Sequence, residues 1–187
     1  MKNLLMIIVL IFYAQVNFAN ATTSLASETQ LTINKFSQSE KLKKLFEESY
    51  GYAAFPSVAE GGIALSGAFG EGEVFKGGVK VGRATLTQVS FGATLGGKTF
   101  DQVMFFVDER AFNEFTSGKF ALSADASAVA LDLSAQASSS TVGNTASTDN
   151  TNQHGDFVNG IAVYQYANGG FMLDLSIGGQ KFSYESY

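Results

Sequence analysis

Residues Gly92 to Thr99 read GATLGGKT and fit the phosphate-loop pattern G-x-x-x-x-G-K-[ST]. In a nucleotide-binding protein such a loop wraps backbone N–H groups around phosphates. Lys98 would reach the β/γ-phosphates and Thr99 would hold Mg²⁺. That chemistry needs a strand before the loop and a helix opening at its Lys-Thr. TLTQVSF ahead of the loop suits a strand, but FDQVMFFV follows it, and on a helix this run would place apolar groups around most of the surface. The first helix-start signal comes only at Asp108. No later strand ends in an Asp suited to Mg²⁺, and the βαβ alternation of an NTPase is missing. Gly92, Gly96 and Gly97 are therefore expected to form strand ends and a turn, and no nucleotide is expected.

The remaining reactive residues are sparse. With no Cys there is no disulfide, thiolate nucleophile or Cys-bound metal. The single His, His154, sits in a polar run, which argues against a multi-histidine metal site and against a Ser/His/Asp triad. Glu71 and Glu73 are two apart and share a strand face, where a carboxylate pair could do acid–base work. At a strand end they are expected to be solvated. Asp101, Asp108, Asp125 and Asp132 lack calcium-loop spacing, and no Ser sits in G-x-S-x-G. No catalytic, cofactor or metal-binding residue is expected, and the chain is not expected to be an enzyme.

The elements that position these residues follow from periodicity. Leu42, Leu45, Phe46 and Tyr50 recur at helical spacing, which predicts a helix over 39–50. Ser37 and Glu40 suggest a capping box and Gly51 a stop. Lys41, Lys43 and Lys44 lie on this helix, with Lys43–Glu47 and Lys44–Glu48 at salt-bridge spacing. A second helix is predicted from its N-cap Asp108 to its stop Gly118, with Phe112 and Phe115 inward. Around them GGIALSGAFGEGEVF, VKVGRATLTQVSF and the buried-type run Phe100–Val107 read as strands, with Lys76-Gly77-Gly78 as a hairpin turn. GIAVYQY-ANGG-FMLDLSI reads as a second hairpin. KFALSADASAVALDLSAQAS reads as strand, and 138–154 as a disordered or mobile Ser/Thr/Asn loop. The expected fold class is α+β, a mainly antiparallel, curled or barrel-like sheet with two short helices.

Of 187 residues, 45% are hydrophobic, which suits one folded domain. Lys2, the apolar run Leu4–Tyr13 and the A-x-A pattern at Ala19 and Ala21 predict a secretory signal over 1–21. A loose polar lead-in over 22–35 and a single domain over 36–187 follow. No Cys follows the signal, so no lipid anchor is expected, and the location is periplasmic or secreted. Losing Lys2 leaves 11 basic against 17 acidic residues, a net charge of −6, which argues against nucleic acid.

YGYAAFPSVAEGGIALSGAFGEGEVF, TLTQVSFGATLGG, FDQVMFFVDERAFNEFTSGKFALSADASAVAL and GIAVYQYANGGFMLDLSIGGQKFSY occur in this order. In these segments, from about Phe36 to Tyr184, the chain resembles the bacterial SYLF-domain family, also described as Las17-binding actin regulators. Relatives carry a segment like GFQLGGQ at the loop, which implies that Lys98-Thr99 is incidental. The resemblance implies binding rather than catalysis, with membrane lipid, phosphatidylinositol lipids in particular, as the ligand class. In eukaryotic members an N-terminal amphipathic helix is implicated in membrane contact, so the resemblance implies a similar role for the helix here. The matching positions here are Lys41, Lys43, Lys44 and Phe46, and Glu40, Glu47 and Glu48 beside them oppose an anionic surface. Actin, a partner in fungi, does not suit an exported bacterial chain. The expected function is an exported domain binding membrane lipid or an apolar ligand. The alternative is a structural component of the envelope that binds an envelope protein. A small outer-membrane barrel fits poorly, because Tyr187, Glu185, Ser183 and Lys181 give no lipid-facing band.

Overall fold

Three long antiparallel strands dominate the computed structural model. It describes residues 24–118, 120–122, 131–132, 157 and 159–187, the side chains at 92–94, 131–132 and 170–178 excepted. Helix α1 covers 24–36 and helix α2 Glu40–Glu48. Strands β1 (Gly51–Lys76) and β2 (Val79–Phe106) follow, then helix α3 (Glu109–Thr116). The short β3 (Ala121–Leu122) and β4 (Leu131–Asp132) precede β5 (Ile161–Ser186). The sheet order is β1-β2-β5-β3, with β4 pairing β5 in parallel and the other pairs antiparallel. This is the expected α+β class with a curled sheet. The expected signal segment 1–21 and the loop 138–154 lie outside the described residues.

The curl comes from β1 and β2 bending midway and folding back on themselves. Gly77 N donates to Tyr50 O (3.3 Å), so the β1–β2 turn returns to the start of β1. Glycine allows the two arms to touch. A Cβ on Gly72 would lie 2.5 Å from Ala54 O, and one on Gly70 would lie 2.7 Å from Val58 Cγ2. Gly77 and Gly78, both at positive φ (54° and 76°), form a two-residue turn within the predicted Lys76-Gly77-Gly78, Lys76 being the last residue of β1.

Between the folded arms lies one apolar core: Phe55, Val58, Val74, Leu86, Met104, Phe106 and Phe182, closed by α3 through Phe112 and Phe115. The opposite face of the strands' outer ends forms a second core of Tyr52, Val103, Phe105 and Tyr164, covered by Phe36 of α1 and Leu42 of α2. Burial on both faces explains the continuous apolar runs around Tyr52–Phe55 and Phe100–Phe106. Helix α3 forms as predicted: Asp108 Oδ1 accepts from Ala111 N (2.8 Å), and Gly118 follows with φ 78°.

Several expectations change. The lead-in is helical, not loose. Leu25, Thr29, Thr32 and Phe36 are buried, and two threonines on that face hide the apolar period. No capping box forms: Ser39 is the N-cap of α2 without a side-chain bond, and Ser37 Oγ donates back to Ile33 O (2.8 Å). Gly51 starts β1, where a Cβ would lie 2.6 Å from both Phe75 O and the Phe112 ring. Gly92, Gly96 and Gly97 make no turn; β2 runs through them, with Gly97 paired to Gly61 and Gly96 to Gly62. ANGG is not a hairpin turn either. Thr99 pairs with Gly169 and Phe100 with Ala167, so Asn168 is the extra residue of a bulge in a continuous β5.

Candidate functional site

The bend of the sheet sorts its side chains in an unusual way. On the concave side, between the arms, polar groups replace the apolar core. Gln180 Nε2 donates to Gln88 Oε1 (2.9 Å) and to Gln102 Oε1 (3.1 Å), and Gln102 Nε2 donates to Gln180 Oε1 (3.1 Å). Gln165 Nε2 extends the chain to Gln102 Oε1 (2.8 Å), and Gln88 Nε2 reaches Ser90 Oγ (3.0 Å) and Glu60 Oε1 (3.4 Å). Lys98 Nζ pairs with Glu60 Oε2 at 3.3 Å. Ser66 and Ser90, paired across β1 and β2, are also buried. Because Gln88 and Gln180 lie on one arm while Glu60, Gln102 and Gln165 lie on the other, the network pins the arms together. Buried amides that satisfy one another hold one geometry, since each broken bond leaves a desolvated partner.

The convex side of the same bend is apolar and open. Ile63 is 78% exposed, Phe91 67%, Leu65 52% and Leu95 51%; Phe69 and Val89 extend the surface. Ile63 pairs with Leu95 and Leu65 with Phe91 across β1 and β2. In the register with β5 the backbone partner of Leu95 is Leu173 and that of Phe91 is Ile177. Ala64, at φ 63° in the bulge between Ile63 and Leu65, turns β1 at this point.

The predicted basic helix lies elsewhere. α2 rests on the ends of the strands away from the bend, its Phe46 ring edge-on to Tyr52 (4.9 Å) and Phe105 (4.8 Å). Phe46 is thus half-buried in packing. Lys41, Lys43 and Lys44 are exposed, with Lys41 Nζ 5.9 Å from the Tyr164 ring. Lys43–Glu47 and Lys44–Glu48 are not among the ion pairs of the described residues. Beneath the helix, burial pushes the Tyr52 phenol above its ordinary pKa of 10.0.

The other singled-out residues have structural partners. Lys98, set for phosphate in the loop pattern, points to Glu60, and a strand rather than a helix follows it. Glu71 is exposed, but Glu73 is buried against Lys80 Nζ (2.7 Å), which corrects the solvated expectation. Asp101 is buried and accepts from Lys35 Nζ (3.0 Å), Ser57 N (3.0 Å) and Asn168 Nδ2 (2.6 Å). Asp125 and His154 lie outside the described residues. Among the described residues no three His, Cys, Asp or Glu side chains gather as a metal site. No described helix is long and apolar enough to cross a membrane.

Residues 87–186, from the bend half of β2 through the end of β5, match the family model Ysc84, described as Las17-binding protein actin regulator. The chain belongs to this family. The SYLF resemblance covers these strands and extends further, back through β1 to about Phe36. The chain is also 29% identical over 154 residues to Beta cell expansion factor A of Aeromonas veronii. That match covers 80% of this chain and 51% of the relative, so the chain spans about half the length of the relative. No solved structure matches. Membership in the Ysc84 family supports a binding role. The curl was expected, but the open apolar face on the convex side of the bend was not. Its signal is the alternation of Ile63, Leu65 and Phe69 in β1 and of Val89, Phe91 and Leu95 in β2, a pattern that marks a two-faced strand without saying which face is covered.

Proposed function

We propose that this Ysc84-family chain is an exported, non-catalytic domain that associates with membrane lipid. The observation that carries this reading is the convex apolar surface of the bend, where large side chains are more than half exposed on neighbouring strands. A contiguous apolar patch of this kind on a folded domain marks an interaction site. The signal pattern at 1–21 supports export, and the family's binding character supports a non-catalytic role. Lys41, Lys43 and Lys44 are assigned at most a headgroup contact. They sit on the far end of the sheet, and Phe46, committed to Tyr52 and Phe105, sets the helix in place.

Mass spectrometry of material that co-purifies with the chain from bacterial envelopes tests this reading. Phospholipid in stoichiometric amounts supports it. One dominant protein partner with no lipid replaces it with the envelope-interaction alternative.

A further inference from the structure

We infer that the bend of the three-stranded sheet is a wedge that enters the acyl layer of a phospholipid bilayer. This deepens the membrane reading and rests on it. Three observations carry the step from contact to insertion. The first is the reversed polarity across the sheet. Along β1 and β2 the apolar residues Ile63, Leu65, Val89, Phe91 and Leu95 face out, while Glu60, Ser66, Gln88, Ser90 and Lys98 face the concave side or are buried there. Apolar-out, polar-in alternation is the arrangement strands adopt when hydrocarbon is their solvent. In water it exposes what folding ordinarily buries.

The second is shape. The arms meet on the concave side, with the Gly70 Cβ position 2.7 Å from Val58, so the apolar face is the convex one. A convex face offers a second copy less contact than a flat one would, whereas a stable complex needs roughly 1,200–2,000 Å². Fluid acyl chains conform to such a surface. The third is extent. From Leu65, just past the bulge at Ala64, to Phe69 the strand rises by about 13 Å at roughly 3.3 Å per residue. That suits one leaflet of a hydrocarbon core about 30 Å thick. Phe69 lies in the row of Thr87 and Lys181, where the exposed Lys181 marks the headgroup level. With one cation at this rim among the described residues and a net charge of −5 for the full chain, the insertion is driven by apolar area and not by anionic lipid.

The chain contains no Trp, so Phe91→Trp is a lone reporter at the wedge and Val79→Trp, at the 66% exposed start of β2, is its control. The purified chain is mixed with phosphatidylcholine vesicles, plain or with brominated acyl chains, and binding is read separately by co-sedimentation. The Phe91→Trp emission is expected to shift to the blue and to be quenched by bromine, while Val79→Trp is unaffected. Leu65→Asp is expected to lower vesicle partitioning on the order of a hundredfold while circular dichroism is unchanged. If the chain sediments with vesicles but the two tryptophans respond alike, the wedge is overturned and lipid association stands. If Phe91→Trp is already blue-shifted without vesicles and the chain sediments as a dimer, a second copy covers the face and the wedge is overturned. If nothing binds vesicles, both readings fall.

Discussion

Asp101 ties three parts of the molecule together through one carboxylate. It holds Lys35 at the end of α1, the backbone N–H of Ser57 in the β1 bulge, and Asn168, the extra residue of the β5 bulge. Lys35 also lies 3.7 Å from the Tyr166 ring centre. In the sequence Asp101 was one acidic residue among several, since its partners are 44 to 67 positions away. Asp101→Ala is expected to destabilise the fold by about 2–4 kcal/mol, because a buried N–H and an amide lose their acceptor. Urea unfolding followed by circular dichroism measures this; a midpoint equal to the parent's would mean the clasp contributes nothing. Lys98 is a second residue whose meaning changed. Its pairing with the buried Glu60 predicts that Lys98→Ala lowers stability by roughly 1–3 kcal/mol. Mg²⁺-ATP is expected to leave the parent's thermal midpoint where it is. A midpoint raised by Mg²⁺-ATP in the parent but not in Lys98→Ala would restore the phosphate-loop reading.

At the scale of elements, local signals were legible and strand continuity was not. Helix α3 was readable from Asp108, Phe112, Phe115 and Gly118 because its cap, face and stop all lie within one short segment. The Gly77-Gly78 turn was equally local. By contrast, ANGG and GATLGG carry turn residues, yet the strands pass through both. What decides between a turn and a bulge is the neighbouring strand, which continues the hydrogen-bond ladder past Gly97 and Gly169. The glycines of GGIALSGAFGEGEVF suit strands with bulges or a close backbone approach, and Gly72 meets the second: a backbone crosses its Cα from the other arm of the same strand. Gly72→Ala is accordingly expected to cost roughly 1–3 kcal/mol, since the clash is with the backbone carbonyl of Ala54 and cannot be relieved by a side-chain rotation. Thermal unfolding checks this against Gly67→Ala, whose Cβ would have 3.7 Å to its nearest neighbour and is expected to be mild.

Over the whole molecule the sheet changes character from one end to the other. At the strand ends both faces are covered, by α1 and α2 on one side and by the opposing arm with α3 on the other. At the bend the inside becomes polar and the outside apolar. The sequence shows the alternation at both places, but not the reversal, because which face is covered depends on how far the helices reach along the sheet. The expected helix site at Lys41, Lys43, Lys44 and Phe46 and the observed bend thus make different claims about how a membrane is met. A charge-led contact weakens with salt and needs anionic lipid, whereas apolar insertion does neither. Vesicle flotation of the purified chain in low and high salt, with phosphatidylcholine alone and with added anionic lipid, separates them. The chain is expected to float with phosphatidylcholine alone and to stay bound in high salt. A chain that remains at the bottom of the gradient with every lipid composition would contradict apolar insertion.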